Sequence, residues 1–300
     1  GKADWRSYER NGKDESILKI KRVGVVLRKL EMKYFNTYYF CSIIQYIIED
    51  SSLDYARTLA EFTEPLSECE RENFSKESYL HSFVDFAVER ILFEQNKYMA
   101  LDVESAIDAD RFENVIGKKH EVFYRYGYKY TTFELAIMHY QGCIEKMEDW
   151  IAKNITPDEF EALDVATQYT NYLEDNYYDV IDCIKNEVVY LLFQNREFLM
   201  HFNIFMSDVL PGKSDRKNVP LWVKRAVKYR DRCKCVMCQK DLSGIMDIEE
   251  QYENQYDHIV PLEDGGLNDV SNMQLMCSKC NKEKGINIYT NNIYHFYYDN

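Results

Sequence analysis

Four cysteines constrain this 300-residue chain more than any other feature. They come as two Cys-x-x-Cys pairs, Cys235 with Cys238 and Cys277 with Cys280. Each such turn points two sulfurs inward at about one ligand distance, and four thiolates in two turns are the donor set of a structural zinc site. The 38 residues between the pairs, 239 to 276, exceed the roughly 15–20 of an ordinary zinc ribbon. Something is therefore inserted between the knuckles. Cys233 stands two residues before Cys235 and competes for the site, but Cys235 matches the spacing of the second pair. Chance pairs or a redox dithiol would explain one Cys-x-x-Cys more easily than two around a common insert.

That insert carries the chemistry. Asp257-His258 precede an apolar run, Ile259 to Leu262, read as a strand ending at Gly265-Gly266. A returning strand at Met273 to Met276 and a short helix from Ser278 to about Gly285 would follow, with Asn281 in the helix's first turn. Such a ββα unit lets Asp257 and Asn281 converge on one cation while His258 faces a water. Phosphodiester hydrolysis needs those residue types. An oxygen-ligated divalent cation stabilises charge and aids the leaving group. A neutral imidazole takes the water's proton, because its ordinary pKa lies near working pH.

These residues resemble the HNH endonuclease family, the ββα-metal nucleases, in its four-cysteine zinc form. The resemblance covers about residues 230–285, under a fifth of the chain. It implies that Asp257 is a metal ligand, His258 the general base, Asn272 the residue orienting the His-bearing loop, and Asn281 the second ligand. Asn281 stands where the family often has a histidine, a common variant. The implied cofactors are a structural Zn2+ and a catalytic Mg2+ or Mn2+, and the implied partner is DNA. The insert Leu242–Tyr256 is long for the family and carries Glu249, Glu250 and Glu253, which would repel DNA or cover the site until displaced.

Charge supports a nucleic-acid partner locally but not globally. The net charge is −14, and residues 51–200 hold 30 acids against 14 bases. Residues 213–240 reverse this, with ten Lys or Arg against two Asp. A basic stripe beside the clip is what a phosphate-facing surface needs. Lys224, Arg225, Lys228, Arg230, Arg232 and Lys284 are the candidate contacts. The five cysteines outside the clip are scattered and odd in number, the pattern of reduced thiols, so a cytoplasmic setting is expected. No leader or membrane span is read, because the longest apolar stretch, Tyr38 to Ile48, is too short to cross a bilayer.

The chain before the clip reads as mainly α: residues 1–210 as a helical sensing or oligomerisation domain, 211–220 as linker, 221–300 as nuclease domain. Eleven glycines and five prolines are too few for an all-β chain. Apolar positions at helical spacing predict helices over Val23–Ile48, Leu53–Phe62 and Glu77–Glu94. Thr131 with Glu134 forms a capping signature for a helix running to about Lys153. Thr156-Pro157 predicts another, to about Glu174, and Tyr178 to Val209 a last long one. Arg196-x4-His201 fits the motif of the HEPN ribonucleases, all-helical dimers. That resemblance implies metal-independent RNA cleavage as the alternative activity. Five residues on a continuous helix turn through roughly 140°, so the two side chains would need a kink or a second chain to meet. A protein-binding module with a structural zinc ribbon is the other alternative. The fusion of an acidic helical part with a basic nuclease resembles bacterial defence or restriction effectors, controlled through a protein partner or a second copy.

Overall fold

The computed structural model describes residues 30–49, 56–66, 71–116, 130–142, 144–156, 160–210, 212–244 and 254–291. Met32–Asn300 forms one compact unit, to which everything below refers. The polar first residues and the acids Glu249, Glu250 and Glu253 lie outside the described residues.

The described residues are mostly helical, with a small ββα element near the C-terminal end. In chain order the helices are α1 (Thr37–Glu49), α2 (Ala56–Leu66), α3 (Tyr79–Ile116), α4 (Thr132–Gln141), α5 (Met147–Asn154) and α6 (Ala162–Tyr172). Then follow α7 (Glu174–Gln194), α8 (Arg196–Val209), α9 (Leu221–Arg230), strands β1 (Gln255–His258) and β2 (Met273–Met276), and α10 (Ser278–Lys284). Helix α3 packs along α6 and α7, and α1 lies against α7 and α8. The core between them is aromatic and aliphatic: Phe40, Phe83, Phe133, Val188, Phe198 and Phe202 are all fully buried.

Helix ends depart from the periodicity where polar side chains intervene. The expected Val23–Ile48 helix begins, in the described part, only at Thr37. Tyr34 and Asn36 adopt positive φ. The buried Glu187 carboxylate of α7 accepts from Lys33 N–H (2.6 Å), Tyr34 N–H (2.9 Å) and Thr37 Oγ1 (2.7 Å), which holds the turn before α1. The Thr131 capping box is present: Thr131 Oγ1 accepts from Glu134 N–H (3.1 Å), and Glu134 Oε2 accepts from Thr131 N–H (2.6 Å). Its helix stops at Gly142, at φ 109°, rather than at Lys153. Residues up to Asn154 form a separate helix, α5, and Glu161, not Thr156, caps α6. Helix α3 instead outruns its expectation, passing through residues 106–116, which contain neither Gly nor Pro.

The predicted Tyr178–Val209 helix is broken at Asn195, which closes α7 and caps α8 by accepting from Phe198 N–H (3.2 Å). The break sets Arg196 at the start of α8, facing inward. Arg196, Arg230 and Asp231 are all fully buried. Asp231 Oδ1 accepts from Arg196 Nη1 (3.1 Å) and Arg230 Nε (2.8 Å). Its Oδ2 accepts from Arg230 Nη2 (3.0 Å) and Leu275 N–H (2.8 Å). One carboxylate thus joins α8, α9 and β2. Removing it would leave two buried guanidiniums facing one another, so Asp231→Asn should cost about 3–5 kcal/mol in urea unfolding. Arg196→Met should cost less, because Arg230 still neutralises Asp231.

Candidate active site

Strands β1 and β2 pair antiparallel, with Asp257 opposite Gln274 and His258 opposite Met273. The strand thus ends at His258 instead of continuing through the apolar run. Ile259 and Leu267 leave the sheet to enter the helical core, and Pro261 has no N–H to give a ladder. Asn272 ties this departure down. Its Oδ1 accepts from Val260 N–H (2.8 Å), and its Nδ2 donates to Val260 O (2.9 Å) and Leu267 O (3.0 Å). Ile259 N–H donates to Asn272 O (2.7 Å). The loop carrying His258 is thus held on both sides by one amide.

The glycine pair closes the loop for steric reasons. Gly265 sits at φ 85°, and a Cβ on Gly266 would lie 2.0 Å from Val260 O and 2.8 Å from Pro261 O. No side chain fits there without moving the backbone two residues beyond His258. Gly266→Ala should lower stability by about 1–3 kcal/mol or more, and cut nuclease activity further than the same loss of stability elsewhere. Paired melting and cleavage measurements check this.

The four clip cysteines come together. Their sulfurs all lie within 4.8 Å of one another, with Cys238 Sγ and Cys277 Sγ 3.8 Å apart. Four sulfurs at about 2.3 Å from a central ion in a tetrahedron would stand at nearly that separation, so the residues fit zinc. Cys233 is outside the cluster. Cys277 also caps α10, its Sγ accepting from Cys280 N–H (3.4 Å). Around the clip, Val223, Val227, Val236, Leu275 and Met276 form a second buried cluster, which Phe74 from the segment before α3 joins.

His258 is buried to 9 % exposure and lines an open cleft of about 450 Å³ with Asp257, Lys284, Lys213, Arg216 and Glu263. Burial holds the imidazole below its usual pKa, while the hydrogen bond from its Nε2 to Asn268 Oδ1 (3.2 Å) and the Asp257 charge oppose that shift. Burial thus favours the neutral ring, the form a proton acceptor needs. Lys284 Nζ lies 2.9 Å from Asp257 Oδ2 and donates to His258 O (2.9 Å). Beyond this ion pair, Asp257 Oδ2 is buried without a hydrogen-bond donor. An oxygen so left fits a hard divalent cation. Helix α10 packs on β1. Asn281 precedes Lys284 by three residues and so shares its face of α10.

Two expected phosphate contacts are not on the surface. Arg230 is fully buried, bonded to Asp231 and to Met273 O (2.6 Å). Lys284 is 3 % exposed, its charge turned onto Asp257. Arg230 belongs to the basic stripe and Lys284 to the end of α10, but one closes a buried ion network and the other the base of the site. Arg225 and Arg232 are exposed; Lys224 and Lys228 are half-buried, with Lys224 over the Tyr256 ring. The Arg196-x4-His201 pair is divided. Arg196 is fully buried on Asp231 and Asn291 O, so it cannot meet RNA, while His201 sits at the surface beside Glu49.

The helical part grips the back of the catalytic loop, which sequence reasoning missed. Arg71 donates to Gly265 O (2.9 Å) and to Leu210 O (2.6 Å). Tyr79 N–H donates to the buried Asp269 (3.2 Å), and Asn203 of α8 donates to Ser271 Oγ (3.2 Å). Arg71, Asn203 and Asp269 stand alone in the sequence, without a motif to mark them.

A ββα unit closed by a four-cysteine clip that fits zinc, with an Asp-His pair at the end of its first strand, is the arrangement of a ββα-metal nuclease domain. Residues 235–286 match the model of the HNH endonuclease family. The chain carries an HNH endonuclease domain there and is a nuclease; the helical part before it is assigned to no family. Comparison with curated proteins gives no match, and comparison with solved structures gives none. Among the described residues, no helix is long and apolar enough to cross a membrane.

Proposed function

We propose that the chain is a metal-dependent DNA endonuclease in which His258 is the general base. The observation that carries this is His258 itself: a buried imidazole, its neutral form favoured by burial, lining a cleft with Asp257 and three basic side chains, Lys213, Arg216 and Lys284. Asp257 and Asn281 would hold a divalent cation, Mg2+ or Mn2+, whose chemistry is to polarise the scissile phosphate and stabilise the leaving oxygen. His258 accepts the proton of the attacking water as its oxygen bonds to phosphorus. Asn272 holds the His-bearing loop, so that the imidazole needs no reorganisation during the reaction. Lys284 fixes the Asp257 carboxylate and the His258 carbonyl. Lys213 and Arg216 at the cleft, with Lys224, Arg225, Lys228 and Arg232 on the basic stripe, are placed to meet backbone phosphates.

Residues 1–210 are then a sensing or oligomerisation domain, joined through 211–220 to the nuclease domain at 221–300, in a cytoplasmic defence or restriction-type effector. What supports control by the helical part is its grip on Gly265, Asp269 and Ser271. The test is a plasmid-nicking assay on zinc-loaded protein. Nicking with Mg2+ or Mn2+, stopped by EDTA, is expected. Intact plasmid with either metal, or metal-independent cleavage of RNA instead, would overturn the proposal.

A further inference from the structure

The side chain of Asn268 settles which nitrogen of His258 is free. Asn268 is fully buried. Its Nδ2 donates to the main-chain carbonyl of Asp215 (2.7 Å) and to Asn73 Oδ1 (2.8 Å). A main-chain carbonyl only accepts, so the amide nitrogen must face it, and the amide cannot be turned round without setting two oxygens together. Oδ1 therefore faces His258 Nε2 at 3.2 Å. An amide oxygen cannot donate, so Nε2 must carry the proton. In a neutral imidazole the lone pair then lies on Nδ1.

We infer that Asn268 is a positioning residue of the nuclease site: held by Asn73 and Asp215, it fixes His258 as the Nε2–H tautomer and leaves Nδ1 as the atom that takes the water's proton. This rests on His258 being the general base. During hydrolysis the proton passes from water to Nδ1, the water oxygen bonds to phosphorus, and the leaving oxygen departs with the electron pair and is protonated from solvent. Neither acceptor that orients Asn268 comes from the zinc module. Asn73 precedes α3 and Asp215 precedes α9, and Phe74 N–H adds a bond to Asn268 O (2.6 Å). The amide that fixes the tautomer is thus itself oriented by segments outside residues 235–286.

The test reads the ring nitrogens directly. Zinc-loaded protein labelled with 15N in its histidines is examined by long-range proton–nitrogen NMR at neutral pH, with His258 assigned by loss of its signals in His258→Gln. An Nε2–H pattern is expected; an Nδ1–H pattern or an even mixture overturns the inference. Asn268→Leu should abolish the preference and lower kcat by about tenfold at unchanged KM, the worth of one hydrogen bond to the reacting group. A leucine variant that keeps both counts against the role. The wild-type spectrum decides even where the leucine variant does not fold. It also requires no cleavage, so its outcome is separate from that of the nicking assay.

Discussion

His258→Ala should abolish cleavage and leave the fold and the zinc in place. A positioned general base contributes about 10²- to 10⁴-fold, and no other described imidazole lines the cleft. The structural cost is modest by comparison. The ring bonds to the Asn268 side chain, and orphaning that oxygen costs about 1–3 kcal/mol. The melting temperature should therefore fall by several degrees rather than the protein unfold. His258 is not among the zinc ligands, so metal content should stay at one zinc per chain. The measurement is single-turnover plasmid cleavage beside zinc analysis and thermal melting. Cleavage within threefold of the wild type in a clean preparation would remove His258 from the reaction, and the proposed mechanism with it.

What the sequence made legible was short-range and chemically distinctive. Cys-x-x-Cys, Asp-His, Gly-Gly and a Thr-x-x-Glu capping box are patterns whose physics sits within a few residues. The clip, β2, α10 and the Thr131 box all appear where such patterns predict them. Helix breaks were less legible, because the groups that cause them come from far along the chain. Glu187 holds the turn before Thr37 from some 150 residues away. Asn195 reads as one polar residue inside an apolar period until its side chain is seen to cap α8.

Charge was the least legible property. Arg230 belongs by composition to the basic stripe, and Lys284 to a lysine-rich short helix. Their partners, Asp231 and Asp257, are acids that a sum over a segment can only subtract. A buried arginine and an exposed one have the same letter. The fold separates them by what faces each, and what faces Arg196 is an aspartate 35 residues later. The same reason hid Asn268, whose partners Asn73 and Asp215 are 195 and 53 residues away in sequence.

Zinc removal should have the largest effect on structure, and it should be separable from removal of the catalytic cation. Three of the clip cysteines, Cys235, Cys277 and Cys280, lie within the second buried cluster, and Cys277, besides offering its sulfur to the clip, caps α10. In small zinc modules the metal supplies about 10–16 kcal/mol of folding free energy. Here part of that is replaced, because Asp231 ties β2 to α8 and α9, and Asn203 holds the loop at Ser271. Cys277→Ser, or wild type stripped by a zinc-selective chelator, should therefore lose amide protection in the knuckles, β1, β2 and α10 while the helical core stays protected. Most of the helical circular dichroism should remain, since none of α1 to α8 carries a clip cysteine. The two metals then differ in how their loss is reversed. Brief EDTA treatment followed by excess Mg2+ should restore cleavage, because four thiolates in a partly buried site release zinc slowly. After zinc stripping, Mg2+ alone should not restore it, because Asp257 and Asn281 stand on β1 and α10, the elements the zinc holds together. Full recovery with Mg2+ after stripping, or unchanged protection of α10 in Cys277→Ser, would mean that the helical core alone holds the site in shape.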